Sequence, residues 1–318
     1  MAVGRQLHHL ATDPELRRVR APLRLVQSSW RLLGRPRAET LVGNVDLVHS
    51  VDLLPPPTRR PLVVTVHDVL PAEHPEWYPP EIVRAHREVL EAARRADAVV
   101  ATCHATAASI ASVAGLVREK VAVAEPGWQR STSTERPPPV EGPYLFAAGG
   151  ITPRKGYEVL ARAVRIIGAE CPPILVTGGE WWRTDEVRRA VAAADVFGAI
   201  RFLGLVEDEA MAALYQHATL VCHPSLAEGF GIPCLEAMGY GRPLVASDLP
   251  SIREMTDGAA VLVPPGDAEA LAESIVDVLA DDEKRDRLSG AGRAVAAAYT
   301  WERMADRVVD CYRTVLGR

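Results

Sequence analysis

Six short blocks of this chain are apolar at nearly every position: LVVTV (62–66), AVVA (98–101), YLFAA (144–148), ILVT (174–177), LVCH (220–223) and PLVAS (243–247). None alternates with period two. Continuous apolar runs of this length are expected of strands buried on both faces of a parallel sheet. Segments with helical spacing lie between them, at 80–96, 157–169, 184–194, 208–216 and 268–280. Strands alternating with helices predict βαβ units and an α/β fold. The stretch 130–143, RSTSTERPPPVEGP, is polar, proline-rich and without apolar period, so it reads as an interdomain linker. No internal repeat at a solenoid period is present.

Composition narrows the class. The chain has 318 residues, enough for about two domains. At 48% hydrophobic and 24% charged it falls in the globular range. Its longest apolar stretch, 96–117, is broken by Asp97 and His104, so no transmembrane helix is predicted. The N-terminus lacks the pattern of a secretory signal, and the expected location is cytoplasmic. A formal net charge of −5 argues against a nucleic-acid partner. Five scattered cysteines without a CxxC pair read as reduced thiols, not as a disulfide or zinc framework.

Charge is unevenly spread. Seven arginines (17, 18, 20, 24, 31, 35 and 37) fall between Glu15 and Arg37, interleaved with leucine, valine and Trp30. This segment suits peripheral contact with an anionic membrane face, or equally a solvated surface in an arginine-rich chain. Only three of the 36 basic residues are lysines: Lys120, Lys155 and Lys284.

Ligands of open parallel sheets bind outside the carboxyl ends of the strands. Those ends carry His67-Asp68, the loop GGITPRKG (149–156), Gly178-Gly179, the loop PSLAEGFGIPCLEAM and Asp248. Pro233 suits the first turn of a helix, so Gly229, Phe230, Gly231 and Ile232 would offer backbone N–H groups to a diphosphate at a helix N-terminus. Glu228 and Glu236 flank that loop. Carboxylates beside an anion site suit hydroxyl groups, such as those of a sugar and a ribose. Arg154 and Lys155 can stabilise negative charge growing on a departing phosphate. His67 faces the expected cleft, His49 is a weaker candidate, and His104 and His223 read as structural.

The stretch FLGLVEDEAMAALYQHATLVCHPSLAEGFGIPCLEAMGYGRPLVASDLPSIREMTDGAAVLVPPGD, with its Glu-x7-Glu pair, resembles glycosyltransferase family 4, the group 1 retaining glycosyltransferases of the GT-B fold. PRKG (153–156), HSVDLLPP (49–56) and VTVHD (64–68) are similar to patterns of the same family. The resemblance implies two Rossmann-like domains with parallel sheets facing a cleft. An acceptor-side domain would span 1–130 and a linker 131–143. A nucleotide-sugar-binding domain would span 144–300, with a C-terminal helix at 301–318 packed back on the first domain. It implies a hexosyltransferase with His67, Glu228, Lys155 and Arg154 as catalytic residues. Gly149, Gly150, Gly178 and Val206 would join the 228–232 loop and Glu236 in binding the donor, with Val206 near the base and Glu236 on the ribose. The expected donor is a nucleotide-diphosphate sugar such as GDP-mannose, and no metal or other cofactor is expected. The acceptor stays open among glycan, lipid and small molecule. A nucleotide-sugar epimerase and a non-catalytic nucleotide-sugar-binding remnant are the alternatives.

Two departures stand out. The family's arginine after the first glycine of the 149–150 pair is replaced by Gly150, with Arg154 available to supply the charge. Met1 also stands directly before the segment AVGRQLHHL, where relatives place a strand and a glycine-rich loop. The expectation is a first domain lacking its first strand, either from a start set too late or from a shortened chain.

Overall fold

The computed structural model describes residues 23–51, 54–130, 140–195 and 197–317, with side chains from residue 25. Residues 1–22 lie outside these. So do the expectation of a missing first strand, three of the seven clustered arginines, and most of the linker (131–139).

Two parallel sheets carry the described chain. The first holds β1 (Val48–Val51), β2 (Leu62–Val66), β3 (Ala98–Ala101) and β4 (Val121–Val123), side by side in chain order. The second holds β5 (Leu145–Ala148), β6 (Ile174–Thr177), β7 (Ile200–Gly204), β8 (Leu220–His223), β9 (Leu244–Ser247) and β10 (Val261–Val263), in the order β10-β9-β8-β5-β6-β7. Every pairing is parallel, and the first four strands form one unbroken ladder. The order reverses between β8 and β5, a topological switch point of the kind that opens a ligand crevice.

The six blocks predicted as strands are the six interior strands. The four that the sequence did not announce, β1, β4, β7 and β10, are the four edges. Interior strands such as β3, β5, β6 and β8 are buried at every residue, whereas β7 alternates between half-buried and exposed positions. An edge strand has a ladder on one side only and needs no continuous apolar run.

Helices cover both faces of the second sheet. Helices Tyr157–Ile167 and Ala268–Ala280 share one core with Leu145, Ile174, Leu220 and Val245. On the other face, Leu235 and Met238 from helix Ile232–Gly239 pack with Phe146, Tyr215 and Leu244. The final helix, Trp301–Leu316, crosses back to the first sheet, where Met304, Val308, Cys311 and Tyr312 pack on Val63, Val100 and Ala124.

Several contacts tie the first domain to the second and to the last helix. The Glu254 carboxylate accepts from the backbone N–H groups of His104 and Ala105, at 2.8 Å each, capping helix His104–Ala114 of the first domain. The indole Nε1–H of Trp128 donates to the Ala296 carbonyl at 3.0 Å. Gly127 lies so close to the start of the last helix that a Cβ there would sit 2.3 Å from Trp301 N. Backbone cannot yield at that distance. Gly127→Ala is therefore expected to lower the unfolding free energy by about 1–3 kcal/mol through overpacking. A fall in the urea midpoint at unchanged slope checks this.

Candidate active site

The carboxyl ends of β5 and β8 carry the charged centre. After β5 the chain runs through Gly149-Gly150 into a short 3-10 turn, Pro153–Lys155, and then helix Tyr157–Ile167. Gly156 joins turn to helix at φ +64°, and a Cβ there would lie 2.1 Å from the Pro224 carbonyl oxygen. Leu226 N–H donates to the Arg154 carbonyl at 2.7 Å. The turn after β5 and the loop after β8 are thus one interlocked unit. Gly178 sits against the same place, since its Cβ would fall 1.9 Å from the Gly149 oxygen at φ +155°. A side chain there would displace the loop that leads to Arg154 and Lys155.

Within that unit, Glu228 is the hub. One carboxylate oxygen, Oε1, accepts from Lys155 Nζ at 2.5 Å and from Ser225 Oγ at 2.8 Å, and lies 3.2 Å from His223 Nε2. The other, Oε2, accepts from Arg154 at 2.9 Å. The side chains of Glu228 and Lys155 are each 7% exposed. Burial raises the Glu228 carboxyl, but Lys155 and Arg154 outweigh it and hold the group well below its ordinary value. Burial pulls the Lys155 ammonium down against the pull of Glu228, and it pulls His223 toward the neutral ring. Arg154 is desolvated too, yet Glu228 lifts it above its ordinary value.

Glu236 lies apart from this cluster. Helix Ile232–Gly239 places it beside Tyr215, whose hydroxyl donates to it at 2.7 Å. Burial pushes the Glu236 carboxyl upward, partly offset by that hydrogen bond. Val206 packs against the apolar cluster that contains Tyr215. Gly231 takes φ +102° at the start of the helix, where a Cβ would strike the Ile252 methyl at 2.3 Å. No side chain caps that helix end. Phe230 turns into the core against Tyr299, while Ile232 is partly exposed.

The first domain meets this loop through Gly229. Its carbonyl accepts from Thr106 Oγ1 and from Cys103 Sγ at 3.3 Å. A Cβ on Gly229 would lie 2.6 Å from both the Asp68 Cβ and the His67 oxygen. His67 and Asp68 line a cleft of about 640 Å³ whose opposite wall is Gly149, Gly150, Arg154 and Lys155.

The structure therefore brings His67, Gly149, Gly150, Arg154 and Lys155 onto one cleft, with Gly178 and Gly229 packed behind it and Glu228 holding both cations. Glu236 and Val206 belong to a separate region, outside the lining of that cleft. Sequence reasoning missed three residues. His223 and Ser225 support Glu228 directly, and the signal was a polar pair at the end of a fully buried strand. His49, the weaker candidate, is a structural bridge, with its two ring nitrogens 2.6 Å from the Tyr312 hydroxyl and 2.7 Å from Thr65 Oγ1. Tyr78, on the first domain, also reaches the cleft.

Replacing Glu228 by glutamine leaves the buried Lys155 and the partly buried Arg154 without their anion. At pH 7 the variant is expected to lose about 3–5 kcal/mol of stability. A depressed carboxyl contributes fully above its unfolded value and loses that contribution as pH falls through the folded one. The gap between native protein and Glu228→Gln should accordingly be widest at neutral pH and narrow below about pH 4, as urea unfolding at both ends will show.

Comparison with known proteins bears on family and fold. The sequence model of the family described as Glycosyl transferases group 1 matches residues 142–281, and that described as Glycosyltransferase Family 4 matches residues 4–129. O-antigen chain mannosyltransferase B of Escherichia coli is 32% identical over 173 residues, 54% of this chain and 45% of that protein. Phosphatidyl-myo-inositol mannosyltransferase of Mycobacterium leprae is 38% identical over 177 residues, 54% of this chain and 46% of that protein. The chain spans about half the length of these curated relatives. Among solved structures, Anabaena HepE in complex with UDP-glucose superposes with a TM-score of 0.70 at 21% identity, covering 92% of this chain and 81% of that one. With both family models matched in tandem, one on each parallel sheet, the chain belongs to the group 1, family 4 glycosyltransferases and has the GT-B fold.

Proposed function

We propose that the protein transfers a hexose, with retention of anomeric configuration, from a nucleotide-diphosphate sugar to an acceptor, and that it does so without a metal. The observation that carries this reading is the interlocked unit of Glu228, Lys155 and Arg154 beside an uncapped helix N-terminus. The buried Lys155, the partly buried Arg154 and the free N–H groups of that helix end are the positive groups a diphosphate would need. An incoming diphosphate competes with Glu228 for Lys155 and Arg154. The carboxylate it displaces is then available to hydroxyls of the transferred sugar.

The chemistry follows from that placement. The bond between the anomeric carbon and the phosphate oxygen breaks, and Arg154, Lys155 and the loop N–H groups hold the charge left on the phosphate. The acceptor oxygen attacks from the same face, and its proton passes to the leaving phosphate oxygen. His67, on the opposite wall, borders the reacting carbon. Arg154 and Lys155 carry the positive charge that a metal supplies elsewhere. Glu236, with Tyr215, suits the ribose hydroxyls, and Val206 the base. Two relatives with mannosyltransferase names make GDP-mannose the first donor to test, and UDP-glucose the second, since the HepE structure holds it.

Membrane contact is part of this reading. Leu25, Leu32 and Leu33 on helix Leu23–Leu33 are 65%, 83% and 71% exposed, an apolar edge suited to a lipid surface. Arg31 does not face that surface freely, because it donates to Glu88 at 2.6 Å. Among the described residues no helix is long and apolar enough to cross a membrane. Replacing Leu32 and Leu33 by glutamate should abolish co-sedimentation with vesicles containing anionic lipid; unchanged sedimentation removes this helix from the contact.

The transfer reading is tested with a panel of nucleotide sugars in chelator, followed by mass spectrometry of donor, nucleotide diphosphate and product. The expected result is cleavage of one donor, lowered at least a hundredfold in Lys155→Ala and in Glu228→Ala. Full activity in either variant, or conversion of the donor to its epimer without release of nucleotide diphosphate, contradicts it.

A further inference from the structure

Two tryptophans follow β6, and nothing in the donor site uses them. Trp181 and Trp182 stand on a tightly built loop. Trp181 N–H donates to Thr184 Oγ1 at 3.0 Å, and the Thr184 hydroxyl lies 2.9 Å from the Ile151 carbonyl. Arg183 adopts the left-handed conformation at φ 60°, and its guanidinium reaches across to the Glu76 carbonyl of the first domain at 2.7 Å. The rings form a row over the cleft. Trp181 and Trp182 have centroids 5.6 Å apart, and Tyr78 of the first domain lies 5.3 Å from Trp182. The Trp181 indole explains the family departure at Gly150, because a Cβ there would fall 2.5 Å from its Cδ1.

The loop beneath this indole is pinned by those bonds, and Trp181 is 57% exposed. It lines the same cleft as His67, Asp68, Arg154 and Lys155, while Glu236 and Val206, suited to ribose and base, do not line it. The aromatic row therefore faces the reacting end of the donor and whatever lies beyond it. Across the cleft stand Gln27 and the Arg31–Glu88 ion pair. An open aromatic face opposed by hydrogen-bonding side chains suits a ring with one apolar C–H face and a rim of hydroxyls. A phosphorylated acceptor finds little positive charge here. Arg154 and Lys155 are engaged by Glu228 or by donor phosphate, Arg31 is paired with Glu88, and Asp68 adds negative charge.

We infer that Tyr78, Trp181 and Trp182 form an acceptor subsite for a neutral pyranose ring, shared between the two domains, so that the acceptor is a glycoside whose terminal sugar stacks on Trp181. This rests on the glycosyltransferase reading above.

The test titrates methyl α-D-mannopyranoside, and separately myo-inositol 1-phosphate, into the full chain holding GDP, following tryptophan emission and ligand saturation-transfer signals. Saturable binding of the pyranoside is expected, weakened about three- to tenfold in Trp181→Ala and largely regained in Trp181→Phe, which keeps an aromatic face. The acceptor KM for a glycoside substrate should rise by a similar factor. Three results overturn the subsite: no saturable pyranoside binding by the native protein, equal binding by Trp181→Ala, or tighter binding of the phosphorylated polyol that is indifferent to Trp181. Donor cleavage by the native protein is scored in parallel. Its absence with pyranoside binding intact defeats the transferase reading, whereas donor cleavage without pyranoside binding defeats the subsite alone.

Discussion

A single buried carboxylate governs the second domain's working edge. Glu228 is ionised in surroundings that oppose charge, and it stays so because Lys155, Arg154, Ser225 and His223 all point at it. A buried ion cluster of this kind adds little net stability but is costly to break by removing one member. Its geometry must therefore be fixed by the backbone. Gly156 against the Pro224 carbonyl, Leu226 on Arg154, and Gly178 against Gly149 do that work at positions where only glycine fits or where two loops share a hydrogen bond. In the proposed reaction the same cluster stores positive charge for the diphosphate and a carboxylate for the sugar, each neutralising the other until donor arrives.

The loop that carries Glu228 is also where the domains touch. The Gly229 carbonyl is held by Cys103 and Thr106, the N-terminus of the helix they begin is capped by Glu254, and Gly229 itself lies flush against His67 and Asp68. The first domain thus grips the loop that carries Glu228 directly. In the proposed reaction a movement of Glu228 would reach the wall that carries His67, while the Arg183–Glu76 contact and the ring row from Tyr78 to Trp181 lie on the other side.

Much of this was legible in the sequence, and the boundary has a physical cause. Strands buried on both faces must be apolar throughout, so β2, β3, β5, β6, β8 and β9 announce themselves, and the glycines and charges that follow them mark the crevice. Edge strands such as β7, with alternating exposure, carry no such signal. The Glu228–Glu236 pair was visible from the strand–loop–helix context around its glycine loop, and the Arg154–Lys155 turn from charges between a strand and a helix. Contacts between residues far apart in the chain were not visible. His223 read as structural, and its contact with Glu228 exists only in the folded chain. Trp181 read as nothing in particular, since its meaning depends on Gly150, thirty-one positions earlier and beside it only in the folded chain.

The most direct test of the central claim is a crystal structure of the protein with GDP or UDP bound. The account predicts the diphosphate seated between Lys155, Arg154 and the N–H groups of residues 230–232, with Glu228 drawn off at least one of its cations and the ribose on Glu236. A nucleotide bound elsewhere, with the four donors still closed on Glu228, would contradict it.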